Sequence, residues 1–558
     1  MTNKILDPSY YDLIIDNTMV AEYDTGDNIT NLNERHSLLH VRTNNNDMCN
    51  LGLYPYHRFP SIFTLNSIVS HDASGITSVQ RNPYLSLYGQ GVLIALIDTG
   101  ICYQHEAFCY SDHSSRIVSI WDQTIEDGNA PEGFSYGSEY TKDMINLALK
   151  SVNPLEIVPS TDEDGHGSAL ASVAAGSIKT EKGFAGVAPE SELVIVKLKS
   201  AKKILKDLYS IPEDRLCFQE SDVMLGLNYV FQVAKKLNRP IAVCLGLGTS
   251  QGCHDGSGAT SNYISYLSQI SKVGISVASG MEANKRRHYF REVKGESFSH
   301  DFEVSIDGKD KMLSMEIWPF VPARLTVELI TPTGESTKCV YPEISGCRQF
   351  GFVFNQSRVW INNIIMEEET GDQMILLRFQ DPTPGIWKIR VKNLQKELFA
   401  FHAWLPSGNL ISQDTVFVES NPDTTVTSPG NAVRSLTVAA YNEVENSILA
   451  DSGRGFSRRR TENPDIAAPG YRLPCALSTL GYGSVTGTGA ATAHATGIMA
   501  MILEWAAVKG FYTTITGHDI NRLIVRGAQR NPSLEYPNVI WGYGKINVNQ
   551  LFENLSIF

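Results

Sequence analysis

Three short stretches hold residue types that could do nucleophilic chemistry together. Asp98 ends the apolar run of "GVLIALIDTG", and His166 follows a glycine in "DEDGHGSALASVAAG". The third, "GTGAATAHATG" from Gly487 to Gly497, is a small-residue turn that feeds the apolar run "IMAMILEWAA". A strand-end carboxylate can orient an imidazole, which can then take the proton of a hydroxyl presented at the mouth of a turn. In the chain order acid, histidine, nucleophile, the third position is Gly489, and it has no side chain. Each stretch alone also has a plainer use. A strand-end aspartate caps a turn, a lone histidine after glycine is structural, and a glycine turn opening a helix can hold an anion. As a dinucleotide loop, "GTGAATA" lacks the third glycine and comes late in the fold.

The surrounding elements alternate in a way that would position such a site. "GVLIALIDTG", "SELVIVKL", "PIAVCLGLG" and "GISVASG" contain continuous apolar runs, the pattern of parallel strands buried on both faces, whose carboxyl ends collect function. Helical patterns such as "GSALASVAAG" and "VMLGLNYVFQVAKKLN" lie between them, which predicts an α/β domain with a central parallel sheet flanked by helices. From 291 to 408 the pattern changes to short alternating strands, among them "FEVSID", "LSMEIWPF", "RLTVELITPTG", "RVWINNII" and "LFAFHAWLP", with no helical period. That predicts an all-β sandwich or jelly roll. The α/β pattern resumes at "SLTVAAYN" and passes "PDIAAPG", so the β unit is an insertion. Residues 1–80 read as a separate small α/β unit with strands at "YDLIID" and "HSLLHVRT", then an irregular stretch, "YPYHRFPSIFTLNSIVS". The expected organisation is 1–80, 81–290, 291–408 and 409–558.

A formal net charge of -13 over 558 residues argues against a general nucleic-acid binder, whose phosphate contacts need a basic face. Two basic clusters, Lys285 to Arg287 and Arg458 to Arg460, read as solvated loop charge, with a partner interface or salt-bridge network as the alternative. The amino terminus, "MTNKILDPSYYDLIID", is acidic where a secretion signal would be basic and then apolar. The longest apolar helix, around Ile498 to Val508, carries Glu504 and reads as too short to span a bilayer. A soluble protein made in the cytoplasm is the expectation. The 9 cysteines, without CxxC pairs, point to reduced and mostly buried thiols rather than a disulfide frame or zinc site. No cofactor and no metal are expected.

Taken together, the motifs resemble those of the subtilisin-like serine proteases. "LIDTG" is similar to that family's Asp motif, "GHGSALASVAAG" to its His motif, "GTGAATAHATG" to its Ser motif and "GYGKINV" to its closing strand. The resemblance covers residues 90–290 and 410–550. It implies that Asp98, His166 and Gly489 stand at the triad positions, with Gly489 in place of Ser and Ala493 in place of the proline before the histidine of that motif. It also implies that Met281, in "VASGMEAN", replaces the asparagine whose amide donates to the oxyanion. Rescue by Ser484, Thr486, Thr488 or Thr492 would need the turn to shift register.

The three-part arrangement further resembles the Csp subtilases of clostridial spores. Active members of that group cut their own prodomain and activate a cortex-lytic zymogen during germination, while CspC-like and CspA-like members are pseudoproteases of germinant signalling. The resemblance therefore implies a catalytically dead subtilase located in the spore. Implied partners are other Csp proteins, active and inactive, the cortex hydrolase system and a small-molecule germinant, with no nucleic acid. A living serine endopeptidase that processes a germination zymogen is the alternative, and an anion-binding structural protein a third. An uncut prodomain would thread its linker, with the junction near "SGITSVQRNP" around Gln80, through a cleft between the strand near Leu247 and the "VASG" strand.

Overall fold

The computed structural model describes residues 3–22, 28–42, 54–65, 74–126, 128–294 and 298–555. Its centre is a nine-stranded sheet with six parallel strands in the spatial order Leu436–Asn442, Val273–Ala278, Ile241–Leu245, Leu93–Asp98, Glu192–Lys197 and Ile117–Asp122. Antiparallel strands Ser447–Ile448 and Ser138–Thr141 edge it, and Ile466–Pro469 pairs in parallel with Leu436–Asn442. Strand Leu93–Asp98 shows why the apolar runs are unbroken. Ile94 and Leu96 pack in the same cluster as residues of helices His166–Ala175 and Thr488–Leu503. Leu93, Ala95 and Ile97 face the other way, into the cluster that includes residues of Glu220–Leu237 and Ala259–Leu267. Side chains alternate along a strand, so a sheet covered on both faces needs apolar residues at every position.

The Thr488–Leu503 helix is buried at every residue. Continued to Val508 it is 21 residues, long and apolar enough to cross a membrane by length and composition, which the sequence reading had missed by starting it at Ile498. Here it is the core helix of the sheet's first face, 83% of its apolar window being covered by protein.

Between the two parts of this core, two antiparallel sheets pack face to face. One runs His288–Val293, Phe399–Trp404, Met312–Pro319, Met374–Gln380, Arg358–Ile364 and Cys347–Gly351; the other runs Leu325–Ile330, Gly385–Asn393, Ser299–Ile306 and Val416–Phe417. Val304, Leu313, Val327, Leu377, Trp387 and Phe401 are among the residues that fill the space between them. Strand Cys347–Gly351 escaped the sequence reading because it is a polar edge strand with no buried residue. At the amino terminus, Tyr10–Asp16, His36–Arg42 and Ile29–Asn31 form a small antiparallel sheet. A buried ion pair fastens it to the core: Asp12 takes Lys202 Nζ at 2.7 Å and His40 Nδ1 at 2.7 Å, and Gln219 Nε2 donates to it at 3.0 Å.

Each basic cluster sends one arginine into the interior, while Arg286, Arg459 and Arg460 are exposed. Arg458 is fully buried, paired with Asp255 and with Asp372 of the insert, and its guanidinium lies 5.3 Å from the centre of the Trp318 ring. Arg287 is buried beside Glu282 and donates to the carbonyls of Pro406 and Gly408. These arginines brace the α/β core against the inserted sheets; the carboxylate partners of Arg458 come from far away in sequence, whereas Glu282 lies five residues before Arg287. The thiols follow the expectation in part. Cys347 is disulfide-bonded and Cys339 is exposed, while Cys102, Cys109, Cys217, Cys244, Cys253 and Cys475 are free and buried.

Candidate active site

Asp98 is the last residue of its strand, and His166 is the first residue of its helix. Asp162 ties the two together: it accepts from Thr99 Oγ1 at 2.7 Å, from Gly165 N at 2.9 Å and from Ser168 N at 2.8 Å. Gly167 donates its N–H to Thr99 Oγ1 at 2.9 Å, and a Cβ at Gly167 would lie 2.2 Å from the Gly100 carbonyl oxygen. Only glycine lets the helix start this close to the strand end.

The result is a hydrogen bond of 2.6 Å between His166 Nδ1 and Asp98 Oδ1, which also accepts the Thr99 N–H at 2.8 Å. Burial pulls the His166 pKa down, but the Asp98 charge and hydrogen bond outweigh it and the net shift is upward. With Nδ1 committed to Asp98, Nε2 is the ring's free basic position. It is buried and has no hydrogen-bond partner, and Asp98 Oδ2 is likewise unpartnered. Gly246, to which the sequence reading gave no role, borders this pair. A Cβ there would lie 3.3 Å from His166 Cε1, 3.5 Å from Asp98 Oδ2 and 2.5 Å from Leu170 Cδ1.

Gly489 is the second residue of the Thr488–Leu503 helix, on the same face of the sheet as the His166 helix, and Ala493 lies buried one turn on. None of the neighbouring hydroxyls is hydrogen-bonded to the imidazole. Thr492 Oγ1 donates to the Thr488 carbonyl at 2.7 Å, Thr486 Oγ1 accepts the Arg472 N–H at 3.2 Å, Ser484 is exposed, and Thr488 Oγ1 is buried without a partner. Met281 follows Gly280 just beyond strand Val273–Ala278 and is half-buried. Its thioether has no N–H to donate. Asp98, His166, Gly489 and Met281 thus arise at two strand ends and two helix starts. The assembled pair can hold and polarise an imidazole, but among the described residues no hydroxyl is hydrogen-bonded to it.

The groove beside the pair is occupied by the chain's own amino-terminal segment. Ile62–Leu65 lies antiparallel to Leu247–Gly248, with Leu65 opposite Leu247 and Thr64 opposite Gly248. Its other edge pairs with Phe218–Gln219. Ser61 N donates to Glu220 Oε2 at 2.9 Å and Ile62 N to Gln251 Oε1 at 2.8 Å. Just before the strand, the insert grips the same segment: Tyr56 hydrogen-bonds to Glu316, His57 pairs with Glu367 at 3.1 Å and Arg58 with Glu368 at 3.5 Å.

This corrects two expectations. The residue expected at the junction, Gln80, is outside the groove: Ile76–Arg81 is a helix, and Gln80 Nε2 donates to the Val187 carbonyl at 3.0 Å. The second wall is Phe218–Gln219 instead of the "VASG" strand, whose Ser279 bonds instead to Val438 and Thr427. The signal that could have found the groove strand was the apolar "IFTL" inside the stretch read as irregular.

The subtilase family model matches residues 89–212 and 406–544, the two parts of the core. The Clostridium perfringens CspB protease is similar over 87% of this chain and 96% of its own, with 28% identity and a TM-score of 0.77. An S41 psychrophilic protease, 17% identical, covers 86% of this chain and 99% of its own at a TM-score of 0.43. No curated protein sequence matches the chain.

Proposed function

On the premise that this chain is a subtilase of the Csp type, we propose that it is a catalytically inactive member acting in bacterial spore germination. One observation carries the reading: His166 Nε2, the atom that would take a nucleophile's proton, is buried without a partner, and the residue at the nucleophile position is Gly489. Met281 adds a second deficit, since an oxyanion formed in this groove would lack the side-chain donor that asparagine supplies. The groove itself holds Ile62–Leu65, so a peptide substrate would have to displace a paired strand before any chemistry.

A protein of this kind works by binding. It receives or relays the germinant signal in the spore and passes it to an active Csp protease, which activates a cortex-lytic enzyme. Because the groove is filled by its own strand, contacts with those partners use other surfaces, the inserted sheets included. The test is deletion of the gene in its spore-former, followed by assays of germinant response and cortex hydrolysis. The proposal expects both to fail or lose germinant dependence, with restoration by a copy carrying His166→Ala. Normal germination of the deletion strain, or rescue that requires an intact Asp98–His166 pair, contradicts it.

A further inference from the structure

We propose that a hollow at the carboxyl-terminal end of the core, lined by Asn446, Arg530, Leu534, Tyr536, Trp541 and Lys545, binds a small organic carboxylate with a flat apolar body. The hollow is open to solvent and offers about 260 Å³, at the small end for a small-molecule site. It is remote in chain and chemistry from the Asp98–His166 pair, and the inference does not depend on the germination reading.

The backbone around it is held firmly. Lys545 and Gln529 exchange N–H to carbonyl hydrogen bonds of 2.9 and 2.8 Å, and Ala467 bonds to Gly544 and Ile546 on either side, at 2.9 and 2.8 Å. On this frame stand two cations without counter-ions among the described residues. Lys545 Nζ donates to Asn446 Oδ1 at 2.8 Å and lies 5.8 Å from the centre of the Tyr441 ring, and no described carboxylate pairs with it. Burial pushes its amine below the usual lysine range, with no acid nearby to offset the shift. Arg530 is fixed by two carbonyls, Nε to Tyr543 at 3.0 Å and NH2 to Val525 at 2.9 Å, which leaves NH1 to bind. Glu535, the acid in the same loop, does not line the hollow.

In a chain of net charge -13, two cations that line one hollow and are unpaired among the described residues are the reverse of the general surface. Half-burying the Lys545 charge without a described charged partner is unfavourable, and an anion bound there, with the exposed Arg530 also lining the hollow, relieves it. The rest of the lining selects the anion's body. Trp541, whose ring centre is 5.7 Å from that of Tyr441, gives a flat apolar wall, and Leu534 and Tyr536 continue it. A compact, fully hydrated oxyanion would leave that wall wet.

The experiment titrates the full chain by ligand-observed NMR with benzoate, with benzamide as its neutral counterpart, and with inorganic phosphate. Benzoate should bind at least about tenfold more tightly than either of the others, and Lys545→Met and Arg530→Gln should each weaken it by about tenfold. Equal binding of benzamide removes the cations from the explanation, equal binding of phosphate removes the apolar wall, and no benzoate binding at its solubility limit removes the site. Unchanged benzoate affinity in both variants also overturns the proposal. Should Lys545→Met fail to fold, Arg530→Gln, which alters an exposed side chain, decides the outcome alone.

Discussion

Gly489→Ser, alone and combined with Met281→Asn, separates the two deficits of the site. The base needs no rebuilding, because His166 and Asp98 are already joined at 2.6 Å. In a subtilisin site the serine is worth about 10⁶ in turnover. The oxyanion amide there is worth roughly 10² to 10³. The single variant should therefore process itself roughly 10² to 10³ times more slowly than the double one. A double variant half-cut in an hour implies about 4 to 40 days for the single variant. Because Ile62–Leu65 already lies in the groove, the cut should fall within a few residues after Leu65, and it should occur within one molecule. Gel electrophoresis with intact mass, at several protein concentrations and with Asp98→Ala as the blank, reads rate, position and order together. A single variant as fast as the double one would refute the weight placed on Met281. A product beginning near Gln80 would refute the assignment of the groove strand.

Other outcomes follow from the same contacts. His166 should titrate above its ordinary 6.5, as seen by NMR of the ring nitrogens, and Asp98→Asn should lower it, since burial is then opposed only by the lesser charges of Asp164 and Asp162. The Asp98–His166 attraction accordingly stabilises the fold fully below pH 6.5 and fades as pH rises through the raised folded value; a pair that stabilises more at pH 9 than at pH 6 contradicts this. Arg458→Met should destabilise the fold in calorimetry by less than the roughly 3 to 5 kcal/mol of a fully orphaned buried charge, because Asp255 and Asp372 lose their buried cation but keep the half-exposed Arg459. No change in melting temperature would show that the buried triad is dispensable. Burial raises the Asp12 pKa, but His40 and Lys202 outweigh it and lower it. Its contribution is therefore complete above the ordinary carboxylate range and lost as pH falls through the depressed folded value. Urea midpoints should drop in acid, and Asp12→Asn should flatten that drop; an unaltered profile contradicts the claim. Protein extracted from its native spores should retain residues 1–65 by intact mass, and a dominant species starting just after Leu65 would mean that some protease matures it.

What could be read in the sequence was what local pattern encodes. The run ending at Asp98 is apolar at every position because helices cover both faces of its strand, and that is visible in six letters. The small residues around His166 and Gly489 announce close-packed helix starts in the same way. Partnerships across the fold were not visible. Arg287 and Arg458 look like solvated charge in a linear reading, because Glu282, Asp255 and the insert's Asp372 meet them only after folding. "IFTL" carries no mark that Leu247–Gly248 and Phe218–Gln219 will flank it. "SGITSVQ" resembled a linker because its glycine and serine precede the short helix Ile76–Arg81, whose Val79 is buried in the core.

The central claim is that no nucleophile serves the Asp98–His166 pair, and a fluorophosphonate probe asks this directly, since it labels a serine only when a base activates it. The purified natural chain should take up no label, while the Gly489→Ser, Met281→Asn variant, labelled in parallel, should take up one equivalent per chain. Stoichiometric labelling of the natural chain that disappears with Asp98→Ala would contradict the account.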